Sequence, residues 1–165
     1  MRIRHLPLLV LSPFTLARRL QKQENCTVFG ACRFRIAMPA RSLHVLIAED
    51  NADGRATFCT LLKLLGHHVD TAADGPQAVE KALASAPEVV FLDIGLPGLD
   101  GYQVAQQLHE ALGPRVFLIA CTAYGDPEYR ERAFAAGIDA YLVKPVDLAE
   151  LDHWLEMARR RLPQG

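Results

Sequence analysis

Val89-Val90-Phe91-Leu92-Asp93-Ile94-Gly95-Leu96-Pro97-Gly98-Leu99-Asp100-Gly101-Tyr102 joins an unbroken apolar run to an acid and then to a turn-rich loop. Four apolar residues without polar alternation are what a strand buried on both faces requires, and such strands belong to parallel sheets covered by helices. Val45-Leu46-Ile47-Ala48 has the same character and runs straight into Glu49-Asp50. In all there are five runs, His44–Ala48, His67–Ala72, Glu88–Leu92, Val116–Ala120 and Ala140–Val143. The marker residues Val45, Val69, Val90, Phe117 and Tyr141 stand 24, 21, 27 and 24 residues apart, room for one helix in each interval.

The intervals carry helical periods. Phe58, Leu61, Leu62 and Leu65 recur at i, i+3, i+4 and i+7, as do Val79, Ala82, Leu83 and Ala86. Val104, Leu108 and Leu112 form a third stripe, and Leu148, Leu151, Leu155 and Ala158 the last. A fourth helix, about Pro127–Ala136, is short with a weak apolar face. Leu65-Gly66 reads as a helix end and Asp74-Gly75-Pro76 as a helix start, while Asp53 is the expected cap of the first helix. Strands alternating with helices in this way predict right-handed βαβ units, and therefore an α/β fold with a doubly wound five-stranded parallel sheet. Ligands of such sheets bind beyond the carboxyl ends of the strands. Standing there are Glu49-Asp50, Asp93, Thr122 and Lys144-Pro145, groups suited to divalent-metal and phosphoryl chemistry.

Composition narrows the class. The 165 residues are 50% hydrophobic and 22% charged, which excludes a collagen-like, wholly disordered or disulfide-rich chain. No apolar stretch approaches the ~20 residues of a spanning helix. The net charge of −1 hides an asymmetry: residues 1–37 hold seven basic residues against Glu24 alone, and the remainder is net −7. By charge alone, the whole chain is expected to be neither a nucleic-acid binder nor a membrane-surface protein. Residues 1–40 read as a basic extension, disordered or arising from an upstream start with Met38 as the functional one. A secretory leader is the other reading, opposed by Pro7, Pro13 and Arg18-Arg19. The four cysteines form no CxxC pair, and Cys59 and Cys121 read as buried thiols of a reducing compartment.

The signatures Glu49-Asp50-Asn51, Asp93 through Tyr102, Cys121-Thr122-Ala123 and Tyr141-Leu142-Val143-Lys144-Pro145, in this order on the expected strand ends, resemble two-component response-regulator receiver domains of the chemotaxis type. The resemblance covers about residues 43–161. It implies a flavodoxin-like (βα)5 fold with strand order 2-1-3-4-5. It implies Mg²⁺ as cofactor, with Asp50 and Asp93 as direct ligands, the Gly95 carbonyl as a backbone ligand and Glu49 acting through water. Asp93 is then the nucleophile that accepts a phosphoryl group from a histidine kinase or a histidine phosphotransfer protein. Lys144 stabilises charge on the transferring oxygens, Thr122 donates its hydroxyl to the product, and Tyr141 is the aromatic switch. The resemblance also implies a cytoplasmic signalling domain, not a turnover enzyme, which speaks to a protein target through the helix 4, strand 5, helix 5 face. Gly95 and Tyr124 occupy the two positions that tune loss of the phosphoryl group.

Taken singly, each of these residues has an ordinary explanation: strand-end acids are often solvated caps, Thr122 an ordinary strand-end threonine, Lys144 a surface lysine. Their co-occurrence in order favours the site. A haloacid-dehalogenase-type hydrolase would need a second Asp two residues after the nucleophile as general acid, and Gly95 stands there. No GxxxxGK or GxGxxG follows a strand, which disfavours nucleotide enzymes. A pseudo-receiver would lack one of Asp50, Asp93, Thr122 or Lys144. Only 21 residues follow Lys144, so no DNA-binding output domain is expected downstream. His67-His68 are read as opening a strand, and His109 and His153 as helix-surface residues.

Overall fold

The computed structural model describes residues 41–162. The basic segment 1–40, with both of its readings, lies outside the described residues. Five strands, β1 (His44–Ala48), β2 (His68–Ala72), β3 (Val89–Leu92), β4 (Phe117–Thr122) and β5 (Ala140–Val143), alternate with five helices. These are α1 (Ala52–Leu64), α2 (Gly75–Ser85), α3 (Gly101–Leu112), α4 (Pro127–Ala135) and α5 (Leu148–Arg161). Every pairing is parallel and the order is β2-β1-β3-β4-β5, the doubly wound sheet expected from the sequence.

The solid apolar runs fill two cores because successive side chains leave a strand on opposite faces. Leu46, Ala48, Val90, Leu92, Leu118 and Ala120 pack beneath α2, α3 and α4. Val45, Ile47, Val89, Phe91, Phe117 and Ile119 pack against α1 and α5. Phe91 meets Phe58 of α1 edge to face at 4.8 Å. Truncating a buried aromatic of this kind typically costs ~3–5 kcal/mol, so Phe91 anchors the α1 side of the sheet.

Four stripe residues depart from expectation. Leu65 and Leu83 are each 51% exposed, Leu148 is 60% exposed, and Ala86, the cap residue past the end of α2, is exposed as well. Leu65 lies past the end of α1, so the helical period no longer steers it inward. Leu148 is the first residue of α5 and overhangs the core. On α2 the contact is made by Ala78 and Ala82, whose small side chains bring the helix close to the sheet. The cap of α1 is also different: Asn51, not Asp53, accepts the Gly54 N–H at 2.8 Å, and Asp53 sits in the first turn where it complements the helix dipole. Asp74, Asp100 and Asp147 cap α2, α3 and α5, each cap worth ~1 kcal/mol. Both Cys59 and Cys121 are free thiols, but only Cys121 is fully buried; Cys59 is half-buried on α1.

His109 and His153 are exposed on their helices, as expected. His67 does more than open a strand. It is 6% exposed, its Nδ1 accepts the Leu43 N–H at 3.1 Å, and its Nε2 lies 3.3 Å from the Arg159 guanidinium. Accepting at Nδ1 leaves the ring proton on Nε2, facing a cation. Burial and then the Arg159 charge hold the imidazole below its usual range, only partly offset by Asp152. The neutral ring is therefore the native form, and its contribution is present above the ordinary histidine range and lost as pH falls through it towards the lower native value. Chemical denaturation across pH 7.5 to 5 checks this: His67→Asn should cost about 1–2 kcal/mol near neutrality and flatten the acid-side loss relative to the parent.

Candidate functional site

Register brings the acids together. Ala48 pairs with Leu92, and the Asp93 N–H donates to the Ala48 carbonyl at 2.9 Å, so Glu49 and Asp93 leave adjacent central strands at one level. Thr122 pairs with Val143, and the Lys144 N–H donates to the Thr122 carbonyl at 2.8 Å, which fixes where the lysine begins. Carboxylate oxygens of Glu49, Asp50 and Asp93 lie within 4.8 Å of one another. Lys144 Nζ reaches Glu49 Oε2 and Asp93 Oδ2, both at 2.5 Å. Asp93 Oδ1 accepts the Gly95 N–H at 3.0 Å, so both oxygens of that carboxylate are held.

The loop after Asp93 is folded back tightly. The Gly101 N–H donates to the Ile94 carbonyl at 3.0 Å and the Gly75 N–H to the Pro97 carbonyl at 3.1 Å. A Cβ on Gly101 would collide with the backbone of Asp93 and Ile94, and one on Gly75 with the Leu99 carbonyl. These two glycines let α2 and α3 start hard against the loop that presents Asp93.

Electrostatics follow from the packing. Burial pulls the Lys144 ammonium down, but its hydrogen bonds to Asp93 and Glu49 and their charges outweigh that and hold it above the ordinary lysine range. Its stabilising contribution is complete below that range and is lost only as pH rises through the elevated native value. Burial pushes the Cys121 thiol up to about 12, against the Lys144 charge and with that of Asp93 and Glu49, so it stays a protonated, inert neighbour. Beside Glu49 and Lys144 opens a largely apolar cleft of about 660 Å³, flanked by Gly54, Phe58, Leu61 and Val146.

The donor set fits a hard divalent cation. All three clustered acids offer oxygen, and three carboxylates against one ammonium leave two negative charges. Asp50 is exposed, and its carboxylate has no hydrogen bond or ion pair among the described residues. The structure thus brings together Glu49, Asp50, Asp93 and Lys144, with Gly95 joined through its N–H.

Thr122 is fully buried at the end of β4, and its Oγ1 accepts only a long contact, 3.4 Å, from the Tyr124 N–H. Tyr141 is 4% exposed, its ring turned inward, and its hydroxyl donates to the Tyr124 carbonyl at 2.7 Å. Burial, then neighbouring Tyr102, keeps Tyr141 protonated. The half-exposed Tyr124 ring stacks on Tyr129 at 4.9 Å. Sequence reasoning missed two features. Arg55 Nη1 donates to the Glu49 and Asp50 carbonyls at 2.6 and 3.1 Å. Arg132 lies 4.2 Å over the Tyr102 ring and 3.8 Å from Asp100. An arginine one turn into the helix after an acidic pair was the available signal for the first; the second joins α4 to α3 and leaves no local pattern.

Fold and site define a parallel α/β domain with an acidic centre beyond its strand ends, whose oxygens suit a divalent cation. Residues 45–156 match the family described as response regulator receiver domain, and the chain belongs to that family. It is 37% identical over 109 residues to a gliding motility regulatory protein of Myxococcus xanthus, covering 66% of this chain and 14% of that protein. It is 38% identical over 127 residues to a transcriptional regulatory protein of Mycobacterium tuberculosis, covering 76% of this chain and 59% of that one. The chain thus spans only part of these curated relatives. Among solved structures, the receiver domain of a Pseudomonas aeruginosa sensor histidine kinase, with magnesium coordinated in its active-site cleft, is 35% identical. That likeness has a TM-score of 0.65 and covers 71% of this chain and 97% of the other. A chemotaxis protein of Vibrio cholerae is 25% identical with a TM-score of 0.66, covering 72% and 99%. No helix among the described residues is long and apolar enough to cross a membrane.

The residual charge makes a thermal prediction. Mg²⁺ at about ten times its dissociation constant should raise the melting temperature of the parent by roughly 4–6 °C. Asp50→Asn should melt higher than the parent without Mg²⁺, since one repelling charge is gone, and should lose most of the Mg²⁺-induced rise. Differential scanning calorimetry with and without the metal reads both.

Proposed function

We propose that this chain accepts a phosphoryl group on Asp93 from a phosphohistidine of a sensor histidine kinase or a histidine phosphotransfer protein. The observation that carries this reading is the convergence of Glu49, Asp50 and Asp93 within 4.8 Å, with Lys144 bonded to Asp93 at the strand ends. Asp50, Asp93 and the Gly95 carbonyl would hold Mg²⁺ directly, with Glu49 acting through water. Bound there, the metal supplies charge neutralisation for the oxygens of the transferring group.

The remaining work belongs to the chain's own side chains. An Asp93 carboxylate oxygen forms the new P–O bond as the P–N bond to imidazole breaks, and the released electron pair stays on the imidazole nitrogen, which takes a proton. The Gly95 N–H holds the nucleophile in orientation before reaction. Lys144 begins bonded to Asp93 and Glu49 and can follow the charge as it moves onto the phosphoryl oxygens. Thr122, whose hydroxyl proton has no acceptor among the described residues, donates it to a phosphoryl oxygen once one is present.

That hydrogen bond exists only in the phosphorylated state, so it separates two states in free energy. As Thr122 moves, the Tyr124 segment moves with it, and the Tyr141 hydroxyl loses or exchanges its partner on Tyr124. The result reaches the face of α4, β5 and α5, which we assign to a protein target. The acidic character of residues 38–165 argues against nucleic acid as the direct partner of this domain. A phosphohistidine donor is consistent with a reaction in the cytoplasm. Residues 43–161 are assigned as the working unit, with 1–40 outside it.

Phosphoryl uptake from a small phosphodonor tests the reading. Asp93→Asn, nearly isosteric, should keep the fold and abolish Mg²⁺-dependent uptake. Thr122→Ala should still take the group but fail to transmit it, because one hydroxyl contact is worth ~1–3 kcal/mol of the usual coupling. Amide NMR shifts over residues 124–147 distinguish these outcomes. Parent-like shifts in Thr122→Ala would remove Thr122 from the relay, and parent-like uptake in Asp93→Asn would remove Asp93 from the chemistry.

A further inference from the structure

We propose that Arg55 is a positioning residue for the cation site, setting Mg²⁺ affinity through the backbone of the acidic pair; the inference rests on the function proposed above. Its guanidinium Nη1 donates to two successive carbonyls, those of Glu49 at 2.6 Å and Asp50 at 3.1 Å. These peptide groups flank the Asp50 Cα, so holding both carbonyls fixes the direction in which the Asp50 side chain leaves the chain. The Asp50 carboxylate itself has no hydrogen-bond or ion-pair partner among the described residues, so its direction is set through the backbone.

Arg55 is itself held in place. It lies in the first turn of α1, where its own N–H donates to the Asn51 carbonyl at 2.9 Å, and its side chain is partly buried. Asn51 caps the same helix, so helix start, acidic pair and guanidinium form one rigid turn.

The choice of acceptor matters chemically. Lys144 occupies oxygens of Glu49 and Asp93, and a cation placed so competes with a metal for those oxygens. Arg55 makes no ion pair with any of the three acids; both of its recorded hydrogen bonds run from Nη1 to backbone carbonyls. The backbone is thus held without occupying a carboxylate oxygen that a metal would use. Outer partners that orient metal ligands in this way commonly change affinity by 10–100-fold when removed.

The test uses the full chain with MgCl2 as probe, by isothermal titration calorimetry, together with phosphoryl uptake from a small phosphodonor across Mg²⁺ concentrations. Arg55→Ala should weaken Mg²⁺ binding on the order of tenfold and raise half-saturating Mg²⁺ equally, with the uptake rate at saturating Mg²⁺ within about twofold of the parent. Arg55→Lys, which keeps charge and a donor, should recover part of the loss. If Arg55→Ala does not fold, Arg55→Lys decides alone: a few-fold weaker Mg²⁺ with unchanged maximal rate supports the role, and parent-like affinity overturns it. Unchanged Mg²⁺ affinity in Arg55→Ala, or a lower maximal rate with unchanged half-saturation, overturns it as well. Failure of the parent to bind Mg²⁺ or take the phosphoryl group would instead sink the reading of the site itself.

Discussion

The ammonium of Lys144 lies between two carboxylates, and the rest of the site depends on that contact. Glu49 and Asp93 leave neighbouring strands at one level, with Asp50 beside them, and groups of like charge so close repel unless neutralised. Lys144, just past the end of β5, offsets part of the repulsion and so ties together strand ends far apart in sequence. Two negative charges remain. A centre left in that condition has the charge and the oxygen donors that suit a divalent cation.

Most of the fold serves to keep those groups in register. The central strands are apolar on both faces, so a slip in pairing would bury the strand-end acids or expose the core. Gly75 and Gly101 close the loop behind Asp93, and the aspartate caps of α2 and α3 flank it. Asp93 is thus presented from a tight turn, with one oxygen on a backbone N–H and the other on the lysine. The softer elements lie on the β4–β5 side, where Tyr141 and Tyr102 hydroxyls hold the carbonyls of Tyr124 and Tyr129. Those are few and individually modest bonds, which suits the shift proposed for that segment.

Strands were legible in the sequence because burial on both faces writes itself as uninterrupted apolar runs, as in Val89–Leu92 and Val45–Ala48. The strand-end positions of Asp93 and Lys144 followed from those runs. The direct bond between them was not legible, since it joins residues 51 positions apart. Helix faces were read less well. Extrapolating the period beyond the end of α1 put Leu65 inside, and an acid at Asp53 drew the cap away from Asn51, whose amide oxygen does the same work without a charge. His67 and Arg55 were passed over for a common reason: their partners are backbone groups, Leu43 N–H in one case and the Glu49 and Asp50 carbonyls in the other, and backbone partners leave no residue pattern.

Phosphoryl transfer to Asp93 would modify one oxygen of one side chain, and chemistry can mark it. The parent chain is incubated with a small phosphodonor and Mg²⁺, treated with borohydride, which reduces an aspartyl phosphate to homoserine, then digested and sequenced by mass spectrometry. Homoserine in place of Asp93, and nowhere else, in a Mg²⁺-dependent manner is the expected result. Homoserine in place of Asp50, or a phosphoryl group that resists borohydride on a hydroxyl or imidazole elsewhere in the chain, would contradict it.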